Sequence, residues 1–578
     1  METDTFESES RHDDADGRGG NAGLYAASLA AAASLAACGG GSGGGTSPPP
    51  PPLTISEAEA SRFLQQAQFA AGDSDMAAVK SQGYAAWLNS QFSAPPGQSG
   101  VAWLNAQGHN AITAEQRYFW QQFGDFMIWN QLLTGPDQMR KRMALALSEF
   151  FVVSLTPIDG FYPPYMIAAY WDLLTANAFG NFRTLLEKIT LNPAMGFYLN
   201  TRGNLKEDAA SGRQPDENYA REVMQLFTIG LYELNADGTP KTDGAGKPIE
   251  TYVQGDVSNL ARVFTGYDYD FSRVTFNKVA WVNYDIPTTE FTTDPMRFNP
   301  DDHSTLAAAF LGTTIAANTP GPDALRMALD TLFNHPNVGP FFGRQMIQRL
   351  VTSNPSPAYV QRVTNAFNND GNGVRGNLRA VWSAILTDPE ARAAPAGGAA
   401  VSGKLREPMV RFVQWARTVG VHSSNSAFEI YDLSPSESAL GQSPLRSPSV
   451  FNFFRPGYVP PNTAIAAGNK QAPEFQLLNE TTTAGYINFL EWVIRFGYSD
   501  VQPTYAQLLP MAHDVPAVIA WLNLRLCANQ LSANSVTTMQ NALAGLGITA
   551  TSADDAKLYL LATACLLILT CPEYLVQK

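Results

Sequence analysis

Cysteine is scarce, four in 578 residues, which rules out a disulfide scaffold for a chain of this length. Charge is scarce as well, 16% of residues where about a quarter is usual. What charge there is leans acidic: 52 carboxylates against 38 lysines and arginines, a formal −14. Such a balance argues against a protein that neutralises nucleic-acid phosphates. No run of about 20 apolar residues is present to span a bilayer. The familiar catalytic signatures are missing too, with no nucleophile elbow, no HExxH and no CxxC. GAAVSGK, ending at Lys404, approaches a phosphate-binding loop, but Leu405 stands where the magnesium-ligating hydroxyl is needed. Asn368, Asp370, Asn372 and Gly373 imitate the start of a calcium loop, yet its twelfth position is Arg379, a cation where a bidentate carboxylate belongs. That stretch reads as a polar turn between helices.

What is plentiful is apolar sequence, 45% of residues. Disorder is thereby excluded for most of the chain. The length allows about four domains of about 150 residues, or a single large helical one.

The first fifty residues read as an address. Leu24 to Ala37 is mostly apolar, too short to cross a membrane and right for the core of a signal peptide. It ends in Leu35-Ala36-Ala37-Cys38, which resembles the bacterial lipobox, so Cys38 is the expected lipidation site. Gly39 to Gly45 and then Pro48 to Pro52 form a tether, flexible first and extended afterwards. The expected organisation is a signal peptide over 1–37, a tether over 38–52 and a helical body over 53–578. One feature departs from the pattern: residues 1–23 hold seven acids and only Arg11 and Arg18, where an n-region is ordinarily basic. Without residues 1–37 three cysteines remain, Cys527, Cys565 and Cys571, and buried apolar thiols are their expected state.

The body repeats apolar residues at helical spacing, and the fold expected is mainly α, one large multi-helical domain with a small β-hairpin. Ser56 with Glu59 reads as a capping box. Helices are expected over 116–133, 136–153, 165–176, 182–190, 217–232, 323–333, 338–352, 357–369, 375–387 and 407–419, with three more in the last 70 residues. The last of these runs over 554–570, capped by Ser552 or Asp554. Turn formers at Asp237-Gly238 and Asp243-Gly244, with alternation from Pro248 to Val253, place the hairpin between Tyr232 and Val253. Two long loops, 268–300 and 434–473, are expected to be functional, as long loops in compact proteins usually are.

The densest polar constellation is PDENYAREVMQLFTIGL, 215–231. Tyr219, Val223, Leu226 and Gly230 recur at core spacing, while Asn218, Arg221, Glu222 and Gln225 fall on one stripe. On an ordinary surface helix the stripe would be a solvated face, its Glu217–Arg221 pair worth at most about 0.5 kcal/mol. Ala220, Met224 and Phe227 leave little of the helix for water, and a polar stripe on a mostly buried helix is often a site.

These residues carry a resemblance. RFLQQAQFA, RMALALSEFFVVS, NAFGNFRTLLEKITLNPAMGFYLN, PDENYAREVMQLFTIGLYELN, DVSNLARVFTGY, FNPDDHSTLAAAFLG and GKLREPMVR are similar, in order, to motifs of the bacterial family DUF1800. SPSVFNFFRPGYVP and CPEYLVQK resemble its C-terminal part. The resemblance implies an exported bacterial protein of undetermined activity, often encoded beside a second exported protein. Many members carry a histidine pair in the helix that here reads Leu147-Ser148-Glu149-Phe150, and this chain has neither histidine. The positions that match the family are Asn200, Asn204, Glu217, Asn218, Arg221, Glu222, Asp256 and His303.

Three classes of function follow. The first is an acid/base hydrolase or lyase acting on an extracellular polymer such as polysaccharide, with Glu222, Asp256 and His303 catalytic and Asn200, Asn204, Glu217, Asn218 and Arg221 binding substrate. Glu217 and Glu222 lie about 140° apart around a helix, so the acid/base pair would be Glu222 with Asp256 or with His303. Glu222, the more enclosed, would be the acid. No cofactor is needed for such chemistry. The second class is a non-catalytic surface or secretion partner whose polar motif is a structural network. The third is a metal protein using Asp301, Asp302, His303 and Glu222. Tyr219, Tyr252, Tyr267 and Trp281 can stack on sugars, though aromatics in so large a core usually just pack. The expected partners are an extracellular polymer or a co-exported protein, without nucleic acid. Membrane contact is expected only through the lipid anchor at the cell envelope.

Overall fold

Ser56 opens the first helix as its spacing predicts. Its hydroxyl accepts the Glu59 N–H at 3.2 Å and the Glu59 carboxylate accepts the Ser56 N–H at 2.8 Å, the reciprocal bonds of a capping box over helix Glu57–Ala67. The computed structural model describes residues 54–393 and 403–578. The signal peptide, the tether, Cys38 and most of GAAVSGK lie outside the described residues.

Among the described residues, 24 α-helices alternate with ten short strands, which pair two by two into five antiparallel ribbons. The molecule is therefore mainly α, as expected. Every helix anticipated before residue 420 is present, several within one or two residues of the expected bounds. Phe182–Thr190 and Pro357–Asn368 are examples. The helices bury one continuous core that includes Trp129, Trp171, Trp382 and Trp415. Helix Asp554–Leu569 differs in its cap, which is Ala553 with no side-chain bond; a short helix, Pro572–Leu575, follows it. The Ser552 hydroxyl instead accepts the Thr549 N–H, closing the preceding turn.

The motif helix is shorter than its apolar repeat suggests. It spans Asn218–Gln225 and stops because Ile229 and Gly230 both donate back to the Met224 carbonyl, at 2.9 and 3.0 Å. Gly230 closes this turn at φ 72°, a left-handed conformation that glycine adopts without penalty. The hairpin expected over 232–253 appears as single bridges, Tyr232 to Glu250, Leu234 to Pro240 and Thr242 to Pro248. The stretch 268–300, expected as a long ordered loop, contains ribbons. Tyr267–Asp268 pairs with Arg297–Phe298, and Phe276–Asn277 with Ile286–Pro287. A further hairpin, Ala308–Phe310 with Thr313–Ile315, turns on Leu311 and Gly312, both at positive φ. Leu-Gly is a poor turn signature beside Asn-Gly, which is why sequence patterning passes over it.

Candidate functional site

The polar stripe of helix Asn218–Gln225 faces the start of helix Gln254–Val263. Glu217, the residue capping the first helix, gathers three donors: Arg221 at 3.2 Å, Gln254 at 2.8 Å and Ser258 at 2.6 Å. The Ser258 bond, with help from Gln254 and Arg221, holds its carboxyl below the usual carboxylate range in spite of partial burial. Arg221 also donates to Gln254 at 3.0 Å. Both members of the Glu217–Arg221 pair are about one-third exposed, so the network is a half-wet clamp between two helices. Asn218 is half-buried, and its N–H donates to Asp216 at 2.8 Å.

Asn204 is buried and spends its amide on main chain. Its Nδ2 donates to the Asp216 carbonyl at 3.2 Å, while its Oδ1 accepts the Asp216 N–H at 2.8 Å. Its own carbonyl accepts the Gly266 N–H at 2.8 Å. Asn200, exposed and at φ 61°, donates to the Asp216 carboxylate at 3.3 Å. The two asparagines thus meet at Asp216 and set the entry of the motif helix.

Glu222, Asp256 and His303 each have their own hydrogen-bonding surroundings. Glu222 is 8% exposed, and its Oε2 has no hydrogen-bond partner. Burial raises its pKa, and Arg221 opposes the shift. Asp256 accepts the Val253 N–H at 2.8 Å with one oxygen and the Leu311 N–H at 2.9 Å with the other. It caps helix Gln254–Val263 and holds Leu311, a residue strained at φ 47°. His303 is buried, and its Nδ1–H donates to the Thr265 carbonyl at 3.0 Å. Burial lowers the His303 pKa, and the Thr265 carbonyl and the charge of Glu207 oppose the shift. No hydrogen bond among the described residues joins Glu222 to Asp256 or His303. A cavity of about 680 Å³ lies beside Asp370 and Arg379, and another of about 250 Å³ beside Arg202 and Phe271. None of the three groups lines either one. The metal reading finds no support, since no cluster of three or more His, Cys, Asp or Glu suited to a metal occurs among the described residues.

A second constellation went unread in the sequence. Arg142, Glu149, Arg349, Lys404, Glu407 and Glu474 are all buried. The Lys404 ammonium donates to the Arg349 carbonyl at 2.8 Å and lies 3.4 Å from Glu407 and 3.7 Å from Glu474. Arg349 approaches Glu149 at 3.4 Å, and Gln442 donates to Glu407 at 2.8 Å. Burial and then the charge of Glu407 push the Glu149 carboxyl up to about 8, and both of its oxygens lack hydrogen bonds. Burial would raise Glu407 too, but Lys404, Gln442, Arg142 and Arg349 outweigh it and hold that carboxyl low. The two carboxyls, both sealed from solvent, are thus pushed in opposite directions. The signal that could have found this constellation is a cation or acid inside apolar helical sequence, as in RMALALSEFF.

A family model described as "Protein of unknown function (DUF1800)" matches residues 62–576. No curated protein matches the chain, and no solved structure does.

Proposed function

Because the chain belongs to the DUF1800 family, proteins of unknown function, we propose that it is a non-catalytic exported lipoprotein, one that holds an extracellular polymer or a co-exported protein at the bacterial cell envelope. One observation carries the reading. Both Asp256 carboxylate oxygens accept main-chain N–H groups, of Val253 and Leu311, His303 spends its Nδ1 on the Thr265 carbonyl, and neither side chain is hydrogen-bonded to Glu222 among the described residues. A general base needs a lone pair within reach of the substrate's proton, and both Asp256 oxygens already serve the backbone. The matched family positions then serve as a network that fixes how the 200–204, 216–225, 254–263 and 299–311 segments pack, a use to which buried polar networks are suited. The lipobox-like sequence ending at Cys38 and the Gly/Pro tether support the placement at the envelope.

The test incubates the full chain and its Glu222→Gln variant with candidate extracellular polymers and follows chain length by new reducing ends. The proposal expects no shortening by either protein, and a variant that folds like the wild type. Cleavage by the wild type that is lost in a folded Glu222→Gln variant would overturn it.

A further inference from the structure

The ribbons of the 268–300 stretch fold against the start of helix Pro163–Asn177 and leave a groove of about 250 Å³. Its walls include the rings of Phe161, Phe197, Phe271, Phe276 and Phe291. Phe271 stacks on Phe291 with centroids 5.4 Å apart, yet stays 43% exposed, and Phe276 is 52% exposed. Trp281 and Tyr284 continue the aromatic surface beyond it, the Tyr284 ring 5.8 Å from Phe161. Rings exposed in such number on one ribbon bury too little to be explained by folding.

Two polar groups share the groove. Asp159 is exposed and makes no hydrogen bond or ion pair among the described residues. Arg202 lies flat over Tyr269 at 4.1 Å, bonds Asp268 at 3.1 Å through Nε, and keeps 40% of its side chain exposed. The lining therefore offers ring faces, a free acceptor and a half-free fork of donors, with one charge of each sign. An apolar protein face laid over it would strip water from Asp159 and supply no partner, at a cost of several kcal/mol. A polyanion would meet the same carboxylate on a chain of formal charge −14. A neutral sugar meets neither cost. Its C–H face covers aromatic rings, its hydroxyls donate to Asp159, and its oxygens accept from Arg202. The groove volume, about 250 Å³, suits one ring-sized unit of a longer chain.

We infer that this groove binds a neutral polysaccharide, one sugar ring seated between the aromatic walls with its hydroxyls on Asp159 and Arg202. The inference rests on the reading of a polymer-holding protein and names the polymer's chemistry. The test is calorimetric titration of the full chain with neutral hexasaccharides of glucose, mannose and xylose, with an oligouronate alongside. At least one neutral oligomer binds and the oligouronate does not. Phe276→Ala, which removes a half-exposed ring without opening the core, weakens binding about tenfold or more, as loss of one stacking ring should. Asp159→Ala weakens it as well. Trp492→Ala, at an exposed aromatic outside the groove, leaves it unchanged. Absence of binding to every neutral oligomer, preference for the oligouronate, or binding indifferent to Phe276→Ala and Asp159→Ala would overturn the groove assignment and leave the non-catalytic reading standing. Binding followed by cleavage would do the reverse.

Discussion

Glu149 is the residue whose environment departs furthest from what its sequence neighbours suggest. Its carboxyl moves from the usual 4.5 up to about 8, so between those values the folded chain holds a proton that the unfolded chain lacks. Stability from this group is full below about 4.5 and is lost as pH rises to about 8. His109 works the other way. Burial lowers it from 6.5 to about 4, so the unfolded state takes the extra proton below 6.5 and His109 opposes Glu149 there. Above 6.5 that opposition is gone. Urea unfolding should therefore show stability falling between pH 6.5 and 8, by up to about 1.4 kcal/mol per pH unit, with a flatter profile in Glu149→Gln. Glu217 has the opposite sign. Its carboxyl is held low, so its contribution is present above the usual carboxylate pKa and fades as pH falls through its folded value. Glu217→Ala should cost about 0.5–1 kcal/mol at pH 7 after screening by water, and less at pH 3, in the same assay.

At the scale of elements, the helices were legible because their apolar faces repeat at helical period over three turns or more. The ribbons were not, since two or three residues give no alternation to read. Phe276 and Pro287 pair without any flanking turn signal that marks a hairpin. Roles at the motif were legible only as positions. Asp256 reads as a free acid in DVSNLARVFTGY, and only the fold shows its oxygens bound to Val253 and Leu311. Gly266 is a further fixed point of this region. At φ 83° a Cβ there would meet the Asn299 carbonyl at 2.7 Å and His303 at 3.2 Å. Gly266→Ala should lower stability by about 1–3 kcal/mol, read as a fall in Tm, because it strains the junction between the Asn204 clamp and the His303 turn.

For the whole molecule, the helical class and the extent of the family match follow from composition and motif order. The buried ionic centre does not, because Arg142, Lys404 and Glu474 come from separate segments of the sequence and meet only in the folded core. The central claim is that the family's polar motif holds the fold instead of performing a reaction. Asp256→Ala tests it most directly, since the change removes a helix cap and orphans the Leu311 N–H, at a cost of about 1–3 kcal/mol. The measurement is polymer capture and chain shortening per folded molecule, with fold content followed by thermal unfolding. The account predicts a lower Tm, capture equal to wild type and no shortening by either protein. A variant that melts like wild type but loses a cleavage activity the wild type displays would contradict it.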